Sequence, residues 1–228
     1  MKSSGLRGVL ALKGGTAIRK VYFPGTWRFS EDLDFTRITG ICAEGISESM
    51  RNVFLSLRRE SGIDFSLESY HPTAGAIIAN VQFIGPLNFP NRIKHDITLK
   101  EKLVLEPRWI PLRTRFSDLP EFEVFVYTLD EILVEKIRSI MQRGYSRDYY
   151  DVWRLLKEGR FKDSEIRRLL VKKCELSGIE YQPNLLFDKT RLSEADSFWV
   201  KGLGYLTKEL PKFNTVISEL RDMLSFLN

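Results

Sequence analysis

Residues 12–35 read LKGGTAIRKVYFPGTWRFSEDLDF: a glycine pair runs into a threonine and, after a basic aromatic stretch, two aspartates stand one residue apart. In a β-strand successive side chains alternate faces, so Asp32 and Asp34 project together while Leu33 and Phe35 enter a core. Two carboxylates on one face repel. The simplest partner that makes their proximity favourable is a hard divalent cation, magnesium or manganese, bound through oxygen. An isolated Asp-x-Asp is more often a solvated edge or turn, but this one has informative neighbours. Lys13-Gly14-Gly15-Thr16 follows the apolar GVLAL (8–12) and precedes a helical pattern with Ala17, Ile18 and Val21 on its buried side. That order puts Gly14 and Gly15 at a strand-to-helix turn with outward backbone N–H groups, as a phosphate cradle requires. The same glycines also suit a plain tight turn.

A third carboxylate lies in RIKHDITLK (92–100). Ile93, His95, Ile97 and Leu99 share one face of this strand, which makes His95 a core histidine, and Lys94, Asp96, Thr98 and Lys100 share the other. If this strand lies beside the one carrying Asp32 and Asp34, three carboxylates meet at a site able to hold two metal ions ~4 Å apart, the chemistry of nucleotidyl transfer.

Further strand signals are IDFSLESY (63–70), AIIANVQFI (76–84) and FEVFVYT (122–128), and a helix is expected over roughly Ser47–Glu60. The texture changes near residue 129. LDEILVEKIRSIMQR (129–143), SRDYYDVWRLLKEG (146–159) and DSEIRRLLVKKCEL (163–176) repeat apolar residues at helical spacing, and FWVKGLGYLTKELPKF (198–213) and VISELRDMLSFL (216–227) predict two more helices. Thr128 with Glu131 has the form of a capping box, Asp163 or Ser164 is expected to cap the next helix, and Gly144, Gly159 and Gly178 mark helix ends. The fold class is therefore α+β: a mixed sheet with helices over 1–128 and a helical lobe over 129–228.

With 228 residues and 43% apolar content the chain can bury a sizeable core. It has no run of ~18 uncharged apolar residues and no secretion signal, so no membrane association is expected. Cys42 and Cys174 stand far apart without metal-ligand spacing, which fits a reducing, cytoplasmic setting. The net charge of +5 and pI near 9.1 favour a polyanionic partner. Arg108, Arg113 and Arg115 around Trp109 and Phe116, and the later Arg138, Arg143, Arg147 and Arg154, are either phosphate and base contacts or solvated faces.

The order Gly-Gly-Thr, RFSEDLDF, then Asp96 on a later strand resembles the DNA polymerase β-like nucleotidyltransferase fold. More narrowly, LKGGTAIRKVYF, RFSEDLDFT and EILVEKIRSIMQRGYSRDYYDVWRLL resemble the AbiEii/AbiGii toxin family of nucleotidyltransferases, over roughly residues 8–160. The resemblance implies a nucleotidyltransferase core over 1–128, a helical lobe over 129–228 that completes the active-site cleft, and a nucleoside triphosphate substrate with magnesium. It assigns Asp32, Asp34 and Asp96 to metal, with Asp96 helping to deprotonate the attacking hydroxyl. Gly14, Gly15 and Thr16 are assigned to the phosphates and Lys136 to the triphosphate tail. The final acid is either Asp148 or Asp151, three residues apart on one helix face. Arg28 and Ser30 are candidate phosphate contacts, with Arg28 equally suited to pairing with Glu31 or Asp32.

The family further implies an RNA acceptor, foremost the 3′ end of tRNA, and an antitoxin partner. Family members carry helical sequence before the glycine turn; here thirteen residues precede Gly14, which leads one to expect a missing element or a late start. Two other classes share the ingredients. A metal-dependent nuclease uses carboxylates and a lysine but does not need the glycine turn. A non-catalytic nucleotide-binding member of the fold would tolerate loss of Asp32, Asp34, Asp96 and Lys136, all of which are present.

Overall fold

The alternating runs form a seven-stranded sheet in a computed structural model that describes residues 5–112 and 121–228. Arg113, Arg115 and Phe116 lie outside the described residues. The strands are β1 (Leu10–Lys13), β2 (Asp32–Arg37), β3 (Asp64–Pro72), β4 (Ala76–Ile84), β5 (Pro90–Thr98), β6 (Arg108–Leu112) and β7 (Phe122–Val126), in the spatial order β3-β4-β5-β2-β1-β7-β6. β3, β4 and β5 form an antiparallel meander; β2 pairs parallel with β5 and antiparallel with β1.

The helix expected over 47–60 is α2 (Ala43–Ser61), stopped by Gly62 at φ +70°. Its Ile46 and Met50 pack with Ile77, Ala79, Val81 and Ile97 from β4 and β5 in one buried cluster. Each large aliphatic side chain removed from water there contributes about 1.5–3 kcal/mol. The opposite face of β4 and β5 is polar, carrying Asn80, Gln82, Arg92, Lys94 and Asp96, with Ile78 39% exposed. β6 was not expected as a strand, because RWIPL offers arginine, tryptophan and proline instead of a clean alternation. It sits at the sheet edge, where Pro111 costs no ladder bond. The helix after the glycines is α1 (Gly14–Ala17), continued by a π-turn over Ile18–Tyr22 that closes with Phe23 N–H donating to Ile18 O at 2.8 Å.

The chain divides into two compact units. The first comprises residues 1–26, 30–101 and 107–127; the second comprises 27–29, 102–106 and 128–228. Helices α3 (Leu129–Gln142), α4 (Ser146–Glu158), α5 (Asp163–Ser177), α6 (Lys189–Ser197), α7 (Trp199–Leu203) and α8 (Phe213–Met223) build the second unit.

Thr128 caps α3, its Oγ1 accepting Glu131 N–H at 3.2 Å as expected. The carboxylate of Glu131, however, does not complete a capping box. It is fully buried and accepts the Val104 and Leu105 N–H groups at 3.2 and 2.9 Å and the Lys173 ammonium at 3.0 Å. Lys173 also donates to Lys102 O at 2.9 Å, so one ion pair holds the segment 102–106 within this unit. The expected cap at Asp163 or Ser164 is not made: α5 begins at Asp163 after Lys162 without a side-chain cap. α6 has a single buried residue, Ala195, and hence no apolar stripe to announce it. The helix expected over 198–213 ends at Leu203 before Gly204. Among the described residues no helix is long and apolar enough to cross a membrane.

Candidate active site

In the first unit, the adjacency on which a three-carboxylate site depends is present. β2 and β5 lie side by side and parallel, with Asp34 in register with Asp96 and Asp32 with Lys94. Neighbours in register share a face, so Asp32, Asp34 and Asp96 stand on one side of the sheet. His95 points the other way, its ring 6.2 Å from Phe35, and burial lowers its pKa.

β1 delivers Lys13 opposite Asp34, and the chain then turns at Gly14 with φ +69°. A Cβ on Gly14 would lie 2.3 Å from Asp34 Oδ2. Glycine is thus required twice here, by backbone conformation and by the carboxylate leaning on it. Gly15 and Thr16 follow as buried residues of α1, which has no side-chain cap. Thr16 Oγ1 donates to Asp32 O at 2.6 Å, tying the glycine turn to the start of β2. That bond occupies the hydroxyl's one proton, so donors toward a phosphate at this turn are backbone N–H groups. Lys13 Nζ lies 3.3 Å from Glu101, and Ser30 is half-buried two residues before Asp32.

The all-oxygen donors Asp32, Asp34 and Asp96 fit a hard divalent cation by chemistry. Their side chains are aligned but do not form a ready cage, since among the described residues no three His, Cys, Asp or Glu side chains form a group that could hold a metal ion.

Gly14→Ala is expected to displace the Asp34 carboxylate and to impose about 1–3 kcal/mol of backbone strain. Nucleotidyl transfer should fall far more than thermal stability does, and a transfer assay beside a melting curve checks this.

The remaining candidates meet in the second unit. α3 supplies Lys136 and α4 supplies Asp148 and Asp151, both aspartates buried on one helix face. Lys136 Nζ lies 2.8 Å from Asp148 Oδ1 and 3.0 Å from Asp151 Oδ2. Arg28 grips Asp151 with two parallel bonds, Nε to Oδ1 at 2.7 Å and one terminal nitrogen to Oδ2 at 2.8 Å. Arg143 Nε approaches Asp148 at 3.2 Å. The partner of Arg28 is therefore Asp151, not Glu31 or Asp32.

Burial alone would raise the Asp151 pKa, but Arg28 and Lys136 outweigh it and hold the carboxyl below its ordinary value. Burial would likewise lower Lys136, and Asp148 with Asp151 overcomes this to raise it well above a normal lysine. These groups stay charged across the physiological range. The family resemblance, not spacing, pointed to Lys136 and the two acids, and nothing local signals that Arg28 pairs with Asp151, 123 residues away.

A family model for the nucleotidyl transferase AbiEii toxin of type IV toxin–antitoxin systems matches residues 1–217. No curated protein matches the sequence. Among solved structures, MenT4, a nucleotidyltransferase toxin from Mycobacterium tuberculosis H37Rv, superposes with a TM-score of 0.72 at 20% identity, over 97% of this chain and 76% of that one. An antigenic nucleotidyltransferase-like protein from Paracoccidioides brasiliensis aligns over 96% of this chain and 83% of its own at 15% identity, with a TM-score of 0.36, too low to carry an argument. The first superposition establishes the fold, and the family match, spanning both units, establishes the rest: the chain belongs to the AbiEii nucleotidyl transferase toxin family of type IV toxin–antitoxin systems and is a nucleotidyltransferase.

Proposed function

We propose that the chain transfers a nucleoside monophosphate from a nucleoside triphosphate to the 3′-terminal hydroxyl of an RNA, with tRNA as the leading acceptor, in a magnesium-dependent reaction. The observation that carries this reading is the register of β2 and β5, with Asp34 beside Asp96 on one face and the Gly14 turn against Asp34.

Asp32, Asp34 and Asp96 would hold magnesium, which when bound supplies positive charge to the triphosphate and to the leaving pyrophosphate. The chain's own groups do the rest. Backbone N–H groups of the turn at Gly14, Gly15 and Thr16 receive phosphate oxygens, and Thr16 keeps the turn docked on Asp32. Asp96 accepts the proton of the attacking hydroxyl, whose oxygen bonds to the α-phosphorus as pyrophosphate departs in line. The family resemblance assigns Lys136 to the triphosphate tail, and its elevated pKa keeps it charged for that role. Arg28 acts as a positioning residue through Asp151. The family also supports a cognate antitoxin as partner, and the two widely spaced cysteines fit a reducing cytoplasm as the setting.

The test is transfer of label from each of four α-labelled nucleoside triphosphates to total tRNA, with magnesium and with chelator. Labelled RNA in the magnesium arm alone is the expected result. Shortened RNA without label would point to a nuclease, and label on protein or a small molecule would reassign the acceptor.

A further inference from the structure

β5 places a basic track on the carboxylate face. Two residues before Asp96, and on its side of the strand, stands Lys94, which pairs in register with Asp32 on β2 and Asn80 on β4. Lys94 is half-buried, and it has no ion-pair or hydrogen-bond partner among the described residues. Asn80, its neighbour on β4, is occupied with Ser69 Oγ at 2.8 Å. One further alternation along β5 brings Arg92, whose side chain is 65% exposed and holds Glu68 at 2.5 Å. The spacing between Asp96, Lys94 and Arg92 is ~6.8 Å per step. α2 covers the other side of these strands, so this face is the one left polar and open.

Position relative to the glycine turn decides which anion the track suits. The sheet runs β4-β5-β2-β1, with the glycine turn following β1 on one flank of Asp34 and Lys94 on the other flank, beyond Asp32. In-line displacement requires the leaving pyrophosphate and the attacking hydroxyl on opposite sides of the α-phosphorus. With the triphosphate tail at the glycine turn, the acceptor approaches from the β5 flank. A half-buried ammonium there, followed by a guanidinium, matches an acceptor that carries phosphate close to its reacting hydroxyl.

We propose that Lys94, with Arg92 behind it, binds the backbone phosphates of the acceptor strand and leads its 3′ end to Asp96, which makes the acceptor a single-stranded nucleic acid end rather than a protein or small metabolite. This inference rests on the transferase reading above and deepens it.

The test uses the full chain. Binding of a fluorescein-labelled single-stranded RNA oligonucleotide with a free 3′-hydroxyl is followed by anisotropy across a salt series, and binding of a magnesium–triphosphate is measured separately. Lys94→Ala is expected to weaken RNA binding and to raise KM for the RNA acceptor about tenfold, while KM for the triphosphate stays within about twofold. The slope of log affinity against log salt should fall in magnitude by ~0.7 for each phosphate contact removed, once for Lys94→Ala and again when Arg92→Ala is added. Lys94→Arg should restore most of the affinity, which a merely structural role would not predict.

The inference is overturned if Lys94→Ala raises KM for the triphosphate instead, if RNA affinity and slope do not move, or if the native protein transfers label only to a protein or small molecule. Failure of the native chain to bind magnesium–triphosphate at all is a separate result: it removes the transferase reading on which the track depends.

Discussion

Asp34→Asn is expected to lower label transfer by at least about 10³-fold, roughly 4 kcal/mol of transition-state stabilisation, and to leave the fold intact. Asp34 occupies the centre of the acidic face: it shares a strand with Asp32, stands in register with Asp96, and lies against Gly14. Asparagine keeps the volume that packs on the glycine turn while removing the negative charge that the proposed cation requires. Unfolding free energy should stay within about 1 kcal/mol of the native protein. Magnesium-dependent triphosphate binding should weaken in parallel with activity. Retention of transfer within tenfold would show that the pair is a solvated strand edge, and the catalytic reading of this face would have to be abandoned.

The largest stability effect belongs to Asp151→Asn. This carboxylate is fully buried and takes two hydrogen bonds from Arg28 and an ion pair from Lys136. Its neutralisation leaves a guanidinium and an ammonium close together in a dry environment, with Asp148 the one remaining carboxylate paired with Lys136 among the described residues. Removing one partner from such a pair costs about 3–5 kcal/mol, whereas replacing the whole network by apolar groups can cost little. Urea unfolding followed by circular dichroism should show the midpoint falling accordingly, with both midpoint and slope compared because a two-unit chain need not unfold in one step.

The pH dependence has the matching sign. The folded Asp151 pKa lies below its unfolded value, so its stabilisation is complete above about pH 4 and is lost as the pH falls through the lower folded value. The folded Lys136 pKa lies above its unfolded value, so its contribution is complete below about pH 10 and is lost only as the pH climbs through the higher folded value. Asp151→Asn should therefore flatten the acid limb of the stability curve. An unchanged midpoint together with an unchanged acid limb would mean that this network is not buried in solution.

What could be inferred from the sequence was whatever depends on neighbours along the chain. Alternation identified β3, β5 and the shared face of Asp32 and Asp34, a short apolar run identified β4, and the apolar repeat located α3, α4 and α5. Thr128 was recognisable as a cap because its partner is three residues away. The contacts of Glu131, by contrast, lie 26 and 42 residues away, and no local pattern shows that a carboxylate three residues past a cap will turn inward. β6 was obscured by Pro111, which only an edge position excuses. α6 was obscured by having one buried residue, although Asp188, which caps it by accepting Arg191 N–H at 3.1 Å, is a signal that could have found it. For the site, alternation supplied the faces but not the neighbour. That β5 lies against β2, and in which register, is a tertiary fact, and so is the choice of Asp151 as the partner of Arg28.

The split of the second unit over three stretches of sequence bears on how this protein is made. Arg28 leaves the ribosome 123 residues before Asp151. At 5–20 residues per second the guanidinium waits roughly 6–25 s for its carboxylate. The nascent segment around it, including Trp27, has no finished home until α4 has been synthesised. No single cut frees one unit from the other. A fragment ending at Tyr127 would keep Arg28 and the Val104 and Leu105 amides while discarding the acids that hold them. Expression of either part alone calls for grafting or trimming these short segments.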